Sequence, residues 1–386
     1  MLRKTSWLLL VSTLSLSACG GGGGDASTGG GTTTGTTVTI EGVGQRLFED
    51  TNLSANGNQA CATCHDSTHG FTDPTVTVDS PVSEGSIPGE FGDRNAPTAA
   101  YAKFTPAFRP ACSDANFTDV PCGGQFLDGR RDTLAAQAGD PFLNPVEMAN
   151  TDKADVVNKV RNATYADEFR QVFGDNIFND TNLAYQKITE AIAAYESTNE
   201  FAPFDSKFDC YLQDPTSYPL NTLEQQGFDL FTGQANCSKC HTIPTNGDPV
   251  LFTNHMYFNI GVPQNPNHPM GTGFVDHGLM NHTSDSAHDG LFKTPTLRNV
   301  ALTAPYMHNG TFATLEDVVK FYLLDLKAGE PDVDPSRPGD QPPEVDNNIS
   351  PEVEGRGFLA QDPANITALV AFMQTLTDGS GKGICF

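Results

Sequence analysis

Apolar residues recur at helical spacing in several separate stretches of the chain. Val156, Val157 and Val160 share a face within residues 153–173, and Ile188, Ile192 and Tyr195 do so within 183–195. Residues 314–326 and 366–376 repeat the pattern, so each stretch predicts a helix. Gly44-Gln45-Arg46-Leu47-Phe48 and Gly227-Phe228-Asp229-Leu230-Phe231 each predict a short helix with the same Gly-x-x-Leu-Phe order, as an internal duplication would leave. No run of alternating residues is long enough to predict a sheet. Residues 325–351, rich in Pro, Asp and Gly, predict an exposed loop. The fold class is mainly α with long loops.

The first residues follow a different logic. Arg3 and Lys4 precede an apolar run over 7–16 and then small residues, the layout of a signal peptide over 1–18. Leu16-Ser17-Ala18-Cys19 resembles a bacterial lipobox, which makes Cys19 the expected lipid attachment point and membrane anchor, and the Gly- and Thr-rich stretch over 19–39 a flexible tether. Folded structure is expected from near Ile40. The location this predicts is the periplasm, with the anchor in the outer membrane because Gly20, not Asp, follows Cys19. Twenty-two Lys and Arg against 47 Asp and Glu give a formal charge of −25. Such a surface repels phosphate backbones, so nucleic acid is excluded as a partner, whereas a basic protein partner suits it.

An exported chain does not keep idle thiols, so the nine cysteines need an account. Cys61-Ala62-Thr63-Cys64-His65 and Cys237-Ser238-Lys239-Cys240-His241 each match C-x-x-C-H, in which two thiols bond covalently to haem and the adjacent His ligates the iron. Two such motifs predict two covalently bound c-type haems, with Cys61, Cys64, Cys237 and Cys240 as attachment points and His65 and His241 as iron ligands. Cys112, Cys122, Cys210 and Cys385 are the even remainder that suggests two disulfides. A Cys112–Cys122 pair would close a short loop and a Cys210–Cys385 pair would tie the C-terminus back, but sequence leaves the connectivity open. Two cytochrome c-like haem domains are therefore expected, over 40–215 and 216–386. The chemistry depends on whether the far side of each iron is open, giving an enzyme, or filled, giving a non-catalytic dihaem electron-transfer cytochrome.

At these residues the chain resembles the bacterial dihaem cytochrome c peroxidases and their MauG-type relatives. The resemblance runs from Gly44 to Thr377. It is carried by both haem motifs together with Arg94-Asn95-Ala96-Pro97-Thr98, Leu127-Asp128-Gly129-Arg130, Leu134-Ala135-Ala136-Gln137, Pro145-Val146-Glu147-Met148, Lys293-Thr294-Pro295-Thr296-Leu297-Arg298-Asn299-Val300 and Ala304-Pro305-Tyr306-Met307-His308-Asn309-Gly310.

The resemblance implies an enzyme that reduces hydrogen peroxide at the N-terminal haem, while the C-terminal haem stores or relays oxidising equivalents. It implies Glu147 as the group that moves a proton during cleavage of the O–O bond and Gln137 as the residue that holds the peroxide. The partner is a small redox protein, a cytochrome c or cupredoxin, or a protein substrate. The family also implies a calcium ion held by the Asn95 side chain and the carbonyls of Thr303 and Pro305.

Two departures separate this chain from the peroxidase pattern. Where the peroxidases place a Met ligand, fourteen residues after His308, this chain has Tyr322, as MauG-type enzymes do. Tyr322 also lies on the helical stripe of Leu315, Val319 and Leu326, which suits a core position, and Met307 is the alternative ligand. The Trp that bridges the haems in the family is replaced by Leu127, with Phe126 as the nearest aromatic in sequence. A longer insertion before Leu127, carrying Cys112 and Cys122, is expected to reshape the entrance to the peroxide site.

Overall fold

The computed structural model describes residues 37–271, 273–323, 342–351 and 362–386. The signal segment, Cys19 and all but the last residues of the tether lie outside them. Residues 38–386 form one compact unit, mainly helical.

Local chemistry starts and stops the helices. The first, α1 (Ile40–Glu49), begins where Thr39 accepts the Gly42 amide at 3.1 Å. The first haem motif forms the short α2 (Cys61–Cys64). Thr133 caps α3 (Leu134–Leu143) at Ala136, and Asp152 caps α4 (Lys153–Arg161) at Asp155. Helix α5 (Ala166–Phe173) follows, then α6 (Thr181–Glu196), capped by Asp180 on the amides of Asn182 and Leu183. Residues 153–173 are thus two helices where periodicity predicts one. The Asn162 side chain donates to the Asn158 carbonyl at 2.8 Å, ending α4 by competing with the helical ladder.

Capping boxes open the next pair: Ser206 with Asp209 for α7 (Lys207–Gln213), and Asn221 with Glu224 for α8 (Thr222–Thr232). Then come α9 (Met280–Thr283), α10 (Leu315–Leu323) and α11 (Pro363–Gln374), the last with Pro at its first position, where a missing N–H costs nothing.

The duplication seen in sequence is a duplicated helix crossing. Helix α1 packs on α6, and α8 packs on α11. Both contacts are so close that a Cβ on Gly44 would stand 1.9 Å from the Ala191 carbonyl oxygen, and one on Gly227 would stand 1.9 Å from that of Ala368. Each crossing anchors its own core. The first gathers Leu47, Phe48, Ile188, Ile192 and Phe201. The second gathers Phe208, Phe231, Phe252, Phe321 and Phe372.

Among the described residues, sheet is confined to two small antiparallel pairs, β1 (Arg109–Cys112) with β2 (Val120–Cys122) and β3 (Tyr257–Phe258) with β4 (Phe292–Lys293). Disulfides join Cys112 to Cys122 and Cys210 to Cys385. The β1–β2 hairpin packs beside the second haem motif. Phe117 and Cys122 meet Met256 and Phe258 beside Cys240, and Asn116 reaches the Lys239 carbonyl at 3.4 Å, so the insertion borders the second haem motif.

One loop reading also changes. Within 342–351, Glu344 and Val345 are buried. Asn259 ties this stretch down by donating to the carbonyls of Val345 at 3.0 Å and Asn347 at 2.7 Å. Elsewhere, His268 is buried and stacked on Phe274 with ring centroids 4.9 Å apart. Pro, Asp and His forecast irregular backbone, and irregular backbone can be buried when side-chain amides and rings satisfy it.

Candidate active site

The two haem motifs fold alike. In each, the His amide donates back to the first Cys carbonyl at 2.9 Å. His65 Nδ1 lies 3.0 Å from the Phe71 carbonyl, and His241 Nδ1 lies 2.8 Å from that of Phe252. A carbonyl can only accept, so Nδ1 carries the proton and Nε2 is left to ligate iron. Burial keeps the His65 ring neutral, lowering its pKa.

Both histidines open on one cavity of about 370 Å³, with Cys237 and Cys240 on its wall and a lining that is mostly apolar. The donor set, the oriented rings and the apolar walls fit two covalent haems.

The same cavity wall carries Gln137, Phe126, Leu127, Tyr322 and Met307. Gln137 sits in the second turn of α3. Glu147 follows in the turn that ends this helix, its amide on the Asn144 carbonyl at 3.1 Å and its own carbonyl accepting from Ser86 at 2.6 Å. It stands beside the cavity instead of lining it, near enough to Cys61 and Cys64 for its charge to act on both. Burial pushes the Glu147 carboxyl up to about 6, against the opposing pull of Arg130 and Asn144.

Tyr322 lies on α10, half-buried, its ring edge-on to Phe321 at 5.6 Å. It and Met307 reach the same cavity. Asn95, Thr303 and Pro305 also lie on the cavity wall, and the Asn95 amide nitrogen donates to the Pro81 carbonyl at 2.9 Å.

Where the family has its bridging Trp, the Leu127 carbonyl accepts the Lys293 amide at 3.0 Å, and the Arg130 guanidinium lies 3.4 Å from the centre of the Phe126 ring. Around this point charges are paired and buried. Arg94 bridges Asp128 at 2.7 Å and Asp276 at 2.5 Å, and His308 meets Glu344 at 2.9 Å with Phe292 stacked on its ring.

Three functional candidates were invisible to sequence reasoning. Lys293 is buried with its ammonium on the Gly124 carbonyl, and burial lowers its pKa to about 7. Its only signal was membership of a recognisable motif. Glu344 falls in a segment that reads as loop. Glu196, at the end of α6, reads as a solvated helix terminus, yet it lines the cavity.

Comparison with known proteins agrees with this architecture. The sequence model of the di-haem cytochrome c peroxidase family, which includes MauG, matches residues 40–217. The chain is 42% identical to a methylamine utilization protein MauG of Paracoccus denitrificans over 349 residues, covering 87% of this chain and 88% of that protein. It is 32% identical to a cytochrome c551 peroxidase of Nitrosomonas europaea, covering 72% of this chain and 71% of that one. Among solved structures, the diheme peroxidase BthA of Burkholderia thailandensis superposes with a TM-score of 0.75 at 32% identity, covering 90% and 88% of the two chains. The chain therefore belongs to the di-haem cytochrome c peroxidase and MauG family, and it is a peroxide-acting haem enzyme with two c-type haems.

Proposed function

We propose that hydrogen peroxide reacts at the haem held by Cys61, Cys64 and His65, with Glu147 as proton-transfer group and Gln137 as the residue that orients the peroxide. The observation that carries this is Gln137 on the wall of the cavity onto which His65 opens, with the Glu147 carboxyl, raised to about 6 by burial, close enough to Cys61 and Cys64 for its charge to act on both. A base whose pKa sits near neutrality is largely ionised at pH 7 yet holds a transferred proton well enough to return it. When bound, the haem supplies the redox chemistry of O–O cleavage. The protein's part is to hold the peroxide, take the proton from one oxygen and deliver it to the other.

Cys237, Cys240 and His241 would hold the second haem, with Tyr322 as a further ligand to its iron, and that haem would supply storage or relay of the second oxidising equivalent. A phenolate oxygen lowers a haem's potential and favours its oxidised states. Calcium at Asn95, Thr303 and Pro305, export to the periplasm and lipid attachment at Cys19 complete the reading. So does the exchange of electrons with a small redox protein or a protein substrate, for which the net charge of −25 favours a basic docking face.

The test is rapid mixing of peroxide with the oxidised protein. Glu147→Gln should slow the reaction roughly 10²- to 10⁴-fold. In the wild type the rate should fall as the pH drops through about 6, because the working form is the carboxylate. In the variant that limb should vanish. An unchanged rate with an unchanged limb would remove Glu147 from the mechanism.

A further inference from the structure

The carboxyl of Glu196 has no place in the peroxide chemistry above. It is the last residue of α6, only 5% exposed, and its Oε2 has no hydrogen-bond partner among the described residues. It lines the cavity onto which His65 opens, and its charge reaches Cys61. An ionised carboxylate there would have Oε2 buried without a partner, which disfavours the charged form, and the negative end of the α6 dipole adds to this. The group therefore keeps its proton to unusually high pH, its pKa pushed up to about 8 by burial alone.

The duplicated fold supplies an internal control. Gly44 packs on Ala191 and Tyr195 as Gly227 packs on Ala368 and Phe372. Glu196, five residues after Ala191, thus corresponds to Met373, five residues after Ala368. Met373 is buried and lines the same cavity. The helix crossing is built without a carboxyl in one half, so packing does not require one in the other.

We propose that Glu196 is the proton-exchanging partner of the N-terminal haem, protonated while that haem is reduced and ionised once it is oxidised. The inference rests on the reading that Cys61, Cys64 and His65 hold a haem. The balance is one electron to the oxidant and one proton to bulk water: the carboxyl O–H bond breaks, and the carboxylate offsets the positive charge gained by the haem. The haem's oxidised state is thereby stabilised at high pH.

The other ionisable groups on the elements around Glu196 are engaged elsewhere. On α1, Arg46 faces Glu168 at 3.8 Å, Glu49 accepts from Gln45, and Glu41 is exposed. On α3, Asp140 pairs with Arg131. On α4, Lys153 lies over the Tyr185 ring, Lys159 bonds the Ser54 carbonyl beside Asp155, and Arg161 bonds the Phe178 carbonyl. Lys103, in the short turn Ala102–Phe104, donates to the Ser197 carbonyl. On α6 itself Lys187 pairs with Glu190, and burial raises the Tyr185 and Tyr195 phenols out of range. Cys61 and Cys64, on α2, do not titrate once bonded to haem. The remaining acids facing this haem site are Glu147, raised to about 6, Asp73, which acts on Cys64 and His65, and the haem's own propionates.

The experiment is a spectroelectrochemical titration of the holoprotein between about pH 5 and pH 9, on the wild type, Glu196→Gln and Glu196→Met. In the wild type the N-terminal haem's potential should fall as pH rises, approaching about 59 mV per unit, the value of a tenfold change per electron. Both variants should be flat above about pH 7, where Glu147 is already ionised, and should sit above the wild type there, with the C-terminal haem unchanged. A slope that survives above about pH 7 in both variants belongs to other acids or to the propionates and overturns the inference, as does a wild type that is flat there. Haem content separates the two levels of failure. Two haems per chain with an unchanged slope refute Glu196 alone, whereas a wild type lacking haem at Cys61 and Cys64 refutes the attachment reading as well.

Discussion

Two glycines on one helix should respond to the same substitution with opposite signs. In α1 a Cβ on Gly44 would lie 1.9 Å from the Ala191 carbonyl oxygen, 2.7 Å from its carbon and 2.9 Å from Tyr195 Cβ. Ordinary contact begins near 3.4 Å or more, so α1 and α6 must separate by about 1.5 Å along a buried seam. Overpacking of this kind costs about 1–3 kcal/mol and sometimes more, against the roughly 1 kcal/mol that Ala gains over Gly in a helix. The clash wins, and Gly44→Ala should destabilise by about 1–2 kcal/mol.

At Gly42 the nearest atom to a new Cβ is the Thr39 hydroxyl oxygen at 3.6 Å, an ordinary contact, so only the propensity gain remains. Gly42→Ala should stabilise by up to about 1 kcal/mol. Guanidinium unfolding followed by circular dichroism gives both as shifts in midpoint at constant slope. If Gly44→Ala matched or exceeded the wild type, the seam would be looser than the structure has it and the argument would fail. Gly227→Ala, with its 1.9 Å approach to Ala368, should behave like Gly44→Ala.

Other expectations follow from the buried charges and the second haem. Arg298 is fully buried, its guanidinium gripping Asp209 at 2.6 and 2.8 Å and its Nε on the Val250 carbonyl. Asp209→Asn leaves that cation only the more distant Asp378, at 3.9 Å, and should cost about 3–5 kcal/mol in the same unfolding assay; a loss under about 1 kcal/mol would mean that Asp378 or water takes over the Arg298 charge. For Tyr322→Phe, electron paramagnetic resonance of the oxidised protein should show a changed signal for one haem and an unaltered one for the other. Two unaltered signals would make Tyr322 a core residue.

What the chain's order of residues determined by itself is the chemistry that acts over a few neighbouring positions. The C-x-x-C-H motifs, the Ser, Thr, Asp and Asn caps and the 3.6-residue periodicity of α6, α10 and α11 are all local, and they were legible. The Asn162 break in α4–α5 was not, because a side chain that takes a helical carbonyl leaves the apolar pattern intact.

Tertiary structure decided the rest. It placed the Cys112–Cys122 hairpin against the second haem motif and buried Glu344 on His308, 36 residues away. It also buried the Glu196 carboxyl in the wall of the cavity, where the equivalent position of the other half places Met373. A carboxyl's sequence neighbours say nothing of its dielectric surroundings. Burial is the sum of contacts from distant segments, and it is burial that turns an ordinary Glu into a proton-holding one.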